Sequence, residues 1–549
     1  MRRYLFFVIW LACSLAMSAQ VRLSKVDSRS QIEVQGQPML ILGGELSNSA
    51  ATSIADIDEV MPRMASIGLN TVLVPAQWDL IEPIEGQFDF STIDETVKKA
   101  RENGLKVIFL WFGAWKNSMS CYAPMWFKQD TKRFPRARTA QGKPLEIASA
   151  FSEDVFLADN RAFAQLVRHI RDIDSSDNTV IMIQVENEIG MLEAARDHSS
   201  LAERVWRGDV PQDIRKAMGW KKGSWADVVG ESLVGEEQFQ AYYYAKYVER
   251  LAQTATHIYD IPLYVNAAMN SRGRKPGEYP SAGPLAHLAD IWKTAAPSVP
   301  ILAPDIYDTG FKSWASQYDM GKKNPLFIPE SRCCENSGVR ALYVFGEHEA
   351  VGFSPFAIDQ ACASDSKQVS RAYSLLKELS PILLKQRGQG CIRGMLFDQE
   401  DMEKQFHWDG MTITARHYFT LPWDSRATDG SRWREGGGII IRMAKDEYLV
   451  AGSGIVVTFQ TDEEMKQTEK AVLGEDGFAD KGSEETKEKD RHSFSAKRMG
   501  IGTVDEVHVD PSGGLTYIRR LNGDQSHQGR HARISVDEYT VLRIRLYSY

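Results

Sequence analysis

The feature that most constrains the fold is a repeated alternation. Eight short apolar runs recur over roughly the first two thirds of the chain, separated by longer stretches of helical periodicity. The runs lie at 39–44 (MLILGG), 69–75 (LNTVLVP), 105–111 (LKVIFLW), 180–186 (VIMIQVE), 262–267 (PLYVNA), 300–306 (PILAPDI), 325–329 (PLFIP) and 352–357 (GFSPFA). Helical patterns fall at 55–67, 91–103, 160–173, 238–257 and 367–385. Continuously apolar strands alternating with amphipathic helices imply a parallel sheet buried on both faces. Eight such units predict a closed (β/α)8 barrel of the TIM type. The rival, an open doubly wound sheet, would more often carry a glycine-rich phosphate turn after its first strand, and no G-x-G-x-x-G follows the first run.

At 549 residues the chain is too long for one ordinary domain. The pattern changes after residue 386. Residues 438–460 and the tail from TYIRR to YTVLRIRLYSY alternate in hydropathy and carry turn residues, which reads as an all-β sandwich over 387–549. Residues 462–492 are charged and poor in apolar side chains, as in a solvated loop. At the other end, two Arg, an apolar run from Tyr4, and Ser18 and Ala19 spell an export signal over 1–19, cleaved near Ala19–Gln20. Trp10, three positions before Cys13, fits poorly with a lipid attachment site. The expected organisation is therefore signal peptide 1–19, barrel 20–386 and sandwich 387–549, in a periplasmic or secreted protein. No later stretch has 18 unbroken apolar residues, so no membrane span is expected. A net charge of −8 without a basic stripe argues against a nucleic-acid partner. Cys121, Cys333, Cys334, Cys362 and Cys391 form an odd set without CxxC spacing. Most are expected to be small buried residues, and an oxidising compartment allows a disulfide whose pairing the spacing does not reveal.

Barrel enzymes place catalytic groups at the C-terminal ends of their strands. The fourth run ends in Glu186, Asn187 and Glu188, and the seventh leads directly into Glu330. Two carboxyls from different strand ends can converge across the mouth, which is what cleavage of a glycosidic bond requires. One must be protonated to release the leaving oxygen; the other must be ionised to attack the anomeric carbon or to activate water. A separation of about 5–5.5 Å means retention and about 6.5–9.5 Å inversion. The partner so implied is an oligo- or polysaccharide. His348 and Glu349 lack a second His at metalloprotease spacing, and neither a G-x-S-x-G elbow nor a P-loop is present. No metal or cofactor is indicated.

Glu188 needs a raised pKa, which an apolar cleft and a neighbouring Glu330 anion would supply. Tyr307 is either a hydrogen-bond donor to Glu330 or ordinary core, and Arg332 and Asn266 are weaker candidates for the same service. Glu186 shares strand parity with Glu188 and reads as a buried ion-pair partner. Glu45, Gln77, Trp78 and Glu82 stand at or beyond the ends of the first two runs, and Glu45, Gln77 and Trp78 are candidate substrate-binding residues. Trp78 is a floor for a sugar ring or plain packing, and Glu82 fixes its loop. Trp111 and Trp115, after the third run, are placed to stack on sugar faces. The long insertion 196–236, with Trp206, Trp220 and Trp225, reads as a lid or subsite wall.

IQVENEIG followed by FIPES resembles the retaining glycoside hydrolases that carry Asn-Glu after strand four and Glu after strand seven. More narrowly, GGEL (43–46), GLNTVLVPAQWDLIEPIEGQFDF (68–90) and VIMIQVENEIG resemble the family 35 β-galactosidases, and YAPMWFKQDTKRFPR (122–136) is similar to family 42. The resemblance covers roughly residues 25–385, and the tail looks like the β-sandwich of some bacterial members acting on plant polysaccharides. It implies that Glu188 is the general acid/base, Glu330 the nucleophile, and Asn187 the amide that contacts the sugar 2-hydroxyl. It also implies an exo-acting retaining β-galactosidase. The alternatives are another β-glycosidase, such as a β-glucosidase or β-L-arabinosidase, or a non-catalytic sugar-binding relative, which would be expected to lack one carboxylate. The chain departs from family 35 at two places. The GPY…E signature after strand three is replaced by WFGAWKNSMS, leaving Asn117 or Lys116 in its role. The HY after strand one is replaced by LS.

Overall fold

The computed structural model describes residues 21–270, 272–421, 433–468 and 496–549. The expected signal segment, and the expected loop beyond residue 468 as far as 492, lie outside the described residues. Residues 462–468 are not loop but a short helix, Asp462–Thr468.

The eight apolar runs become parallel strands: Ile41–Glu45, Thr71–Gln77, Lys106–Phe112, Val180–Gln184, Leu263–Ala268, Ile301–Ile306, the pair Phe327–Ile328 and Glu330–Ser331, and Gly352–Phe353. Each pairs in parallel with its neighbours in chain order. The seventh strand is split at Pro329, which has no N–H to give to a ladder. Its first half pairs with the eighth strand and its second half with the sixth. Because the two halves are one run of chain, the sheet closes on itself as a (β/α)8 barrel. The expected helices form as Ile54–Ile67, Ser91–Glu102, Glu153–Asp174, Leu233–Ile258 and Ala363–Lys385. Ser53, Ser152 and Ser232 cap the first, third and fourth, each accepting a backbone N–H of the first turn. Three further barrel helices, Ala289–Ala295, Phe311–Asp319 and Ser337–Glu347, go beyond the sequence reading. So does an antiparallel sheet of Val21–Val26, Arg29–Val34 and Gln37–Met39. Val21, Ile32 and Val34 of that sheet join Ile41, Leu73, Ile108, Tyr264, Ile301 and Phe327 in one cluster inside the barrel. The sheet thus plugs the N-terminal end and leaves the C-terminal mouth as the open one.

The carboxy-terminal region is a sandwich of two antiparallel sheets. Six strands follow the order Ile392–Phe397, Gly436–Ala444, Glu447–Ser453, Thr540–Ser548, Met499–Val509 and Leu515–Arg520. Four follow the order Glu403–Trp408, Met411–His417, Ile455–Thr461 and Ala532–Ile534. Met395, Phe406, Ile413, Ile440, Val457 and Leu542 pack between them. The barrel helix Ser337–Glu347 lies directly on the first strand. A Cβ at Gly394 would come within 2.4 Å of the Glu347 nitrogen and 2.5 Å of the Tyr343 oxygen, so only glycine fits there. Arg340 adds a bidentate pair with Glu435 at 2.7 and 2.6 Å.

The insertion 196–236 corrects an expectation. Its helices Ser200–Trp206 and Trp225–Val229 bury Trp206 and Trp225 rather than offer them to the mouth, and Trp220, beyond the helix Gln212–Ala217, is half-buried. Trp206 and Trp225 pack on Phe239 at 5.0 and 5.4 Å, and Trp220 on Trp225 at 5.9 Å. The cysteines correct another. Those described are all free thiols, and only Cys391 is buried. Among the described residues no helix is long and apolar enough to cross a membrane.

Candidate active site

The open mouth gathers a cluster of carboxyl groups. Inward positions alternate along each strand. Glu45 follows Ile41 and Gly43 inward on the first strand, and Asp305 follows Ile301 and Ala303 on the sixth. Glu188 stands just beyond the fourth strand, and Glu330 follows Pro329 in the seventh. All four are buried. Carboxylate oxygens of Glu188, Asp305 and Glu330 lie within 4.8 Å of one another.

Glu188 is held by its backbone as much as by its side chain. Glu186 and Glu188 both take left-handed φ, 59° and 47°, and so do Asn117 and Ser118 opposite them, at 51° and 58°. Such conformations in residues with a Cβ persist only where the surroundings fix them. Here the Glu188 N–H donates to Asn266 Oδ1 at 2.9 Å, and its carbonyl accepts from the N–H and hydroxyl of Ser118, both at 3.1 Å. The Asn117 amide donates to Glu188 Oε2. Asn266 Nδ2 donates to Asp305 Oδ2 at 2.8 Å, so one amide ties the acid-bearing loop to the sixth strand. On the other side, the Tyr307 hydroxyl donates to Glu330 Oε2 at 2.8 Å, and Tyr307 is 39% exposed rather than core. Asn187 is fully buried, and among the described residues neither atom of its amide has a partner.

Burial and then the charge of Glu330 push the Glu188 carboxyl up to about 7, against smaller opposing effects of Lys116, Asp305 and Asn117. Glu45 and Asp305 are raised well above the ordinary carboxylate range by burial and by Glu330. Lys116 faces all four carboxyls. Burial alone would lower its pKa, but the surrounding negative charge outweighs burial and holds it above its ordinary value. Burial and the charges of Glu330 and Asp305 push the Tyr307 hydroxyl up, so it acts as a donor. Glu188, Asp305 and Glu330 are the described residues close enough together to share a cation, and the Lys116 ammonium already supplies positive charge to the same three.

Several expected site residues fall elsewhere. Trp78 and Trp111 are both 0% exposed and turn outward into the helix layer. Phe112 and Leu110 take the inward positions of the third strand, which forces Trp111 out. Trp111 Nε1 donates to Asp159 at 2.9 Å, and Trp78 Nε1 to Glu82 at 2.8 Å. Neither ring can floor a sugar. Trp115 is likewise buried, edge-on to Tyr244 and Tyr247. Gln77 spends its amide nitrogen on the Asn48 carbonyl at 2.7 Å. Arg332 is exposed, and Asn266 serves Glu188 rather than Glu330. Glu82 does fix its loop, through the Gly86 N–H and Arg161.

Glu186 is buried, and among the described residues it has no ion pair. Its Oε2 accepts from the Trp115 N–H at 2.8 Å, and its carboxyl adjoins that of Asp159. A Cβ at Gly113 would lie 2.2 Å from Trp111 Nε1 and under 3 Å from both carboxyls, so glycine makes room for the pair. Asp159 already accepts from Trp111 and, at 2.7 Å, from the Tyr247 hydroxyl. The proton that the two acids share therefore resides on Glu186, whose pKa burial and Asp159 raise well above the usual range. The expected ion pair is a carboxyl–carboxylate pair.

Sequence reasoning missed Asp305. Its signal was present: two residues before Tyr307, it occupies the inward parity of an otherwise apolar strand.

Two family models match. Residues 51–218 match the beta-galactosidase model of glycoside hydrolase family 42, and residues 369–533 match a domain of unknown function, DUF5597. The first match includes Glu188 and stops short of Glu330. It falls on family 42, the family to which 122–136 is similar, rather than on family 35. A beta-galactosidase of Xanthomonas manihotis is 28% identical over 179 residues, 32% of this chain and 27% of the relative, so the chain covers about a quarter of that protein. Among solved structures, the beta-galactosidase of the haloarchaeon Halorubrum lacusprofundi aligns at 17% identity and TM-score 0.45, over 61% of this chain and 58% of that one. The beta-galactosidase of Marinomonas ef1 aligns at 14% identity and TM-score 0.46, over 62% and 60%.

Proposed function

We propose that this protein is a glycoside hydrolase: a retaining, exo-acting β-galactosidase that removes terminal β-D-galactosyl residues from plant-derived oligo- or polysaccharides. The observation that carries the proposal is the meeting of Glu188 and Glu330 at one pocket, with oxygens no more than 4.8 Å apart. That separation favours direct attack over an interposed water, for which the carboxyls would need about 6.5–9.5 Å. The family match over 51–218 and the names of the relatives support galactose as the sugar.

The reaction follows from the environments of the two acids. Glu330, with the Tyr307 hydroxyl on Oε2, attacks the anomeric carbon. Glu188, whose pKa of about 7 lets it carry a proton near neutrality, delivers that proton to the glycosidic oxygen as the bond breaks. Glu188 is then a carboxylate, stabilised by Asn117 and Asp305, and takes a proton from the water that hydrolyses the galactosyl–Glu330 ester. Asn187, with an unused amide at the mouth, is assigned to the sugar 2-hydroxyl. The amino-terminal 1–19 segment supports action outside the cytoplasm.

Hydrolysis of an aryl β-galactoside, followed by proton NMR of the first-formed sugar, tests the proposal. Initial release of β-galactose is expected. Initial α-galactose would exclude retention, and faster hydrolysis of the matching β-glucoside or β-L-arabinoside would reassign the sugar.

A further inference from the structure

The loop after the third barrel strand brings to the mouth a charged group that the reaction above does not use. Lys116 is only 3% exposed. Its backbone is fixed: its N–H donates to the Met119 carbonyl at 2.7 Å, and a parallel bridge joins it to Asn187. Its Nζ lies 4.7 Å from the centre of the Phe112 ring. Among the described residues that nitrogen makes no hydrogen bond and no ion pair, although it faces Glu330, Glu188, Glu45 and Asp305 across the pocket. An ammonium taken out of water without a hydrogen-bond acceptor is costly. Acceptors that arrive with a ligand remove that cost. Among the described residues, both oxygens of Glu45, Oε1 of Glu330, Oδ1 of Asp305 and both amide atoms of Asn187 meet no N–H and no Ser, Thr or Tyr hydroxyl.

We propose that Lys116 is a substrate-binding residue of the sugar pocket, its ammonium donating to hydroxyl oxygens of a neutral non-reducing sugar and so selecting that sugar. The inference rests on the glycosidase reading and deepens it. A sugar hydroxyl suits the site because it can accept from Lys116 and donate its own hydrogen to an unpartnered carboxyl or amide oxygen. Charge decides against an acidic sugar. The charge of Glu330 already pushes Glu45, Glu188 and Asp305 toward the protonated form, and a uronic acid would bring a second anion among them.

The test compares wild type, K116M and K116R on an aryl β-galactoside, its 2-, 3-, 4- and 6-deoxy analogues, and the corresponding β-glucuronide, with melting curves as a check on folding. Wild type is expected to lose about 10- to 100-fold in kcat/KM when one particular hydroxyl is deleted. K116M is expected to be weaker on the parent by a similar factor, mainly through KM, and to be nearly indifferent to loss of that same hydroxyl. A second readout is the high-pH limb of kcat/KM. Lys116 faces Glu45, Glu188, Asp305 and Glu330, with Cys121 and Tyr122 on its own loop. Removing its charge makes Glu188 hold its proton more tightly, so the limb moves up by about one pH unit in K116M. K116R, which keeps the charge, leaves it in place. A K116M enzyme with wild-type penalties at every deoxy position and an unmoved limb would overturn the inference while leaving the glycosidase reading intact. Preference of wild type for the glucuronide would overturn it as well. A wild type inactive on every aryl β-glycoside would remove the parent reading, and this inference with it.

Discussion

Glu186 and Glu188 stand two residues apart, both buried, both with left-handed φ, both pushed toward the protonated form. Their surroundings nevertheless differ, and the proposed reaction uses only Glu188. Glu186 faces the helix layer, where Asp159, Trp111, Tyr247 and the Trp115 N–H close a small polar knot among aromatic rings. Glu188 faces the mouth, where among the described residues Glu45, Glu330 and Asp305 keep oxygens that accept from no N–H and no Ser, Thr or Tyr hydroxyl. Burial and a raised pKa are common to both, so neither property distinguishes a catalytic acid from a structural one. What separates them is where their neighbours lie: Asp159, Trp111 and Tyr247 around Glu186 belong to the helix layer, whereas Glu330, Asp305 and Lys116 around Glu188 gather at the open mouth.

The largest expected effects lie on the mouth side. Glu188→Ala should lower kcat by about 10²–10⁴-fold on substrates with poor leaving groups and far less on activated aryl galactosides, which need little protonation. Glu330→Ala should abolish turnover of both. Azide should rescue it with an inverted glycosyl azide, and lack of rescue would count against Glu330 as nucleophile. Tyr307→Phe removes a donor to a charged acceptor, which is expected to cost about 10- to 100-fold in kcat/KM; steady-state kinetics check it, and an unchanged value would mean that this hydrogen bond is idle in the transition state.

Smaller effects sharpen the contrast. Glu188 should set the high-pH limb of kcat/KM near pH 7, with activity falling as it ionises. The same shift has a stability sign. A carboxyl raised from 4.5 to about 7 on folding contributes stability that is full below pH 4.5 and lost as pH rises toward 7. Glu188→Gln, which cannot ionise, should therefore melt higher than wild type at pH 8, by an amount on the order of 3 kcal/mol at most, and nearly equally at pH 4.5. On the knot side, Glu186→Ala should cost about 1–3 kcal/mol by unpairing Asp159. Glu186→Gln, which can still donate to Asp159, should recover most of it in urea melts. A Glu186→Gln variant with the activity loss of Glu188→Ala would dissolve the distinction between the two acids.

The eight strands were legible because a parallel barrel strand is apolar on both faces, which leaves an unbroken run in the sequence. The N-terminal sheet was not, because its middle strand RSQIEV has only Ile32 and Val34 as apolar side chains and buries the polar Arg29, Gln31 and Glu33. The short helices Ala289–Ala295, Phe311–Asp319 and Ser337–Glu347 offer too few turns for a clear period. In the site, Glu188 and Glu330 could be read because each ends an apolar run. The tryptophans could not, since whether Trp111 faces the mouth or the helices depends on the register of the third strand, and a one-residue shift reverses it. Lys116 and Asn117 lie in a loop whose path is set by contacts with residues some 70 positions later, such as the Ser118 N–H on the Glu188 carbonyl. Their place after the third run marked them as candidates, but not which partner each would face.

The central claim is that Glu330, and none of the three acids around it, forms a bond to the sugar. Incubation with a 2-deoxy-2-fluoro-β-galactoside bearing an activated leaving group should trap the glycosyl-enzyme, because the fluorine slows both steps and the leaving group restores the first. Peptide mass spectrometry is expected to find one fluorogalactosyl group per chain, on Glu330. A label on Glu188, Asp305 or Glu45, or rapid turnover without any label, would contradict the account.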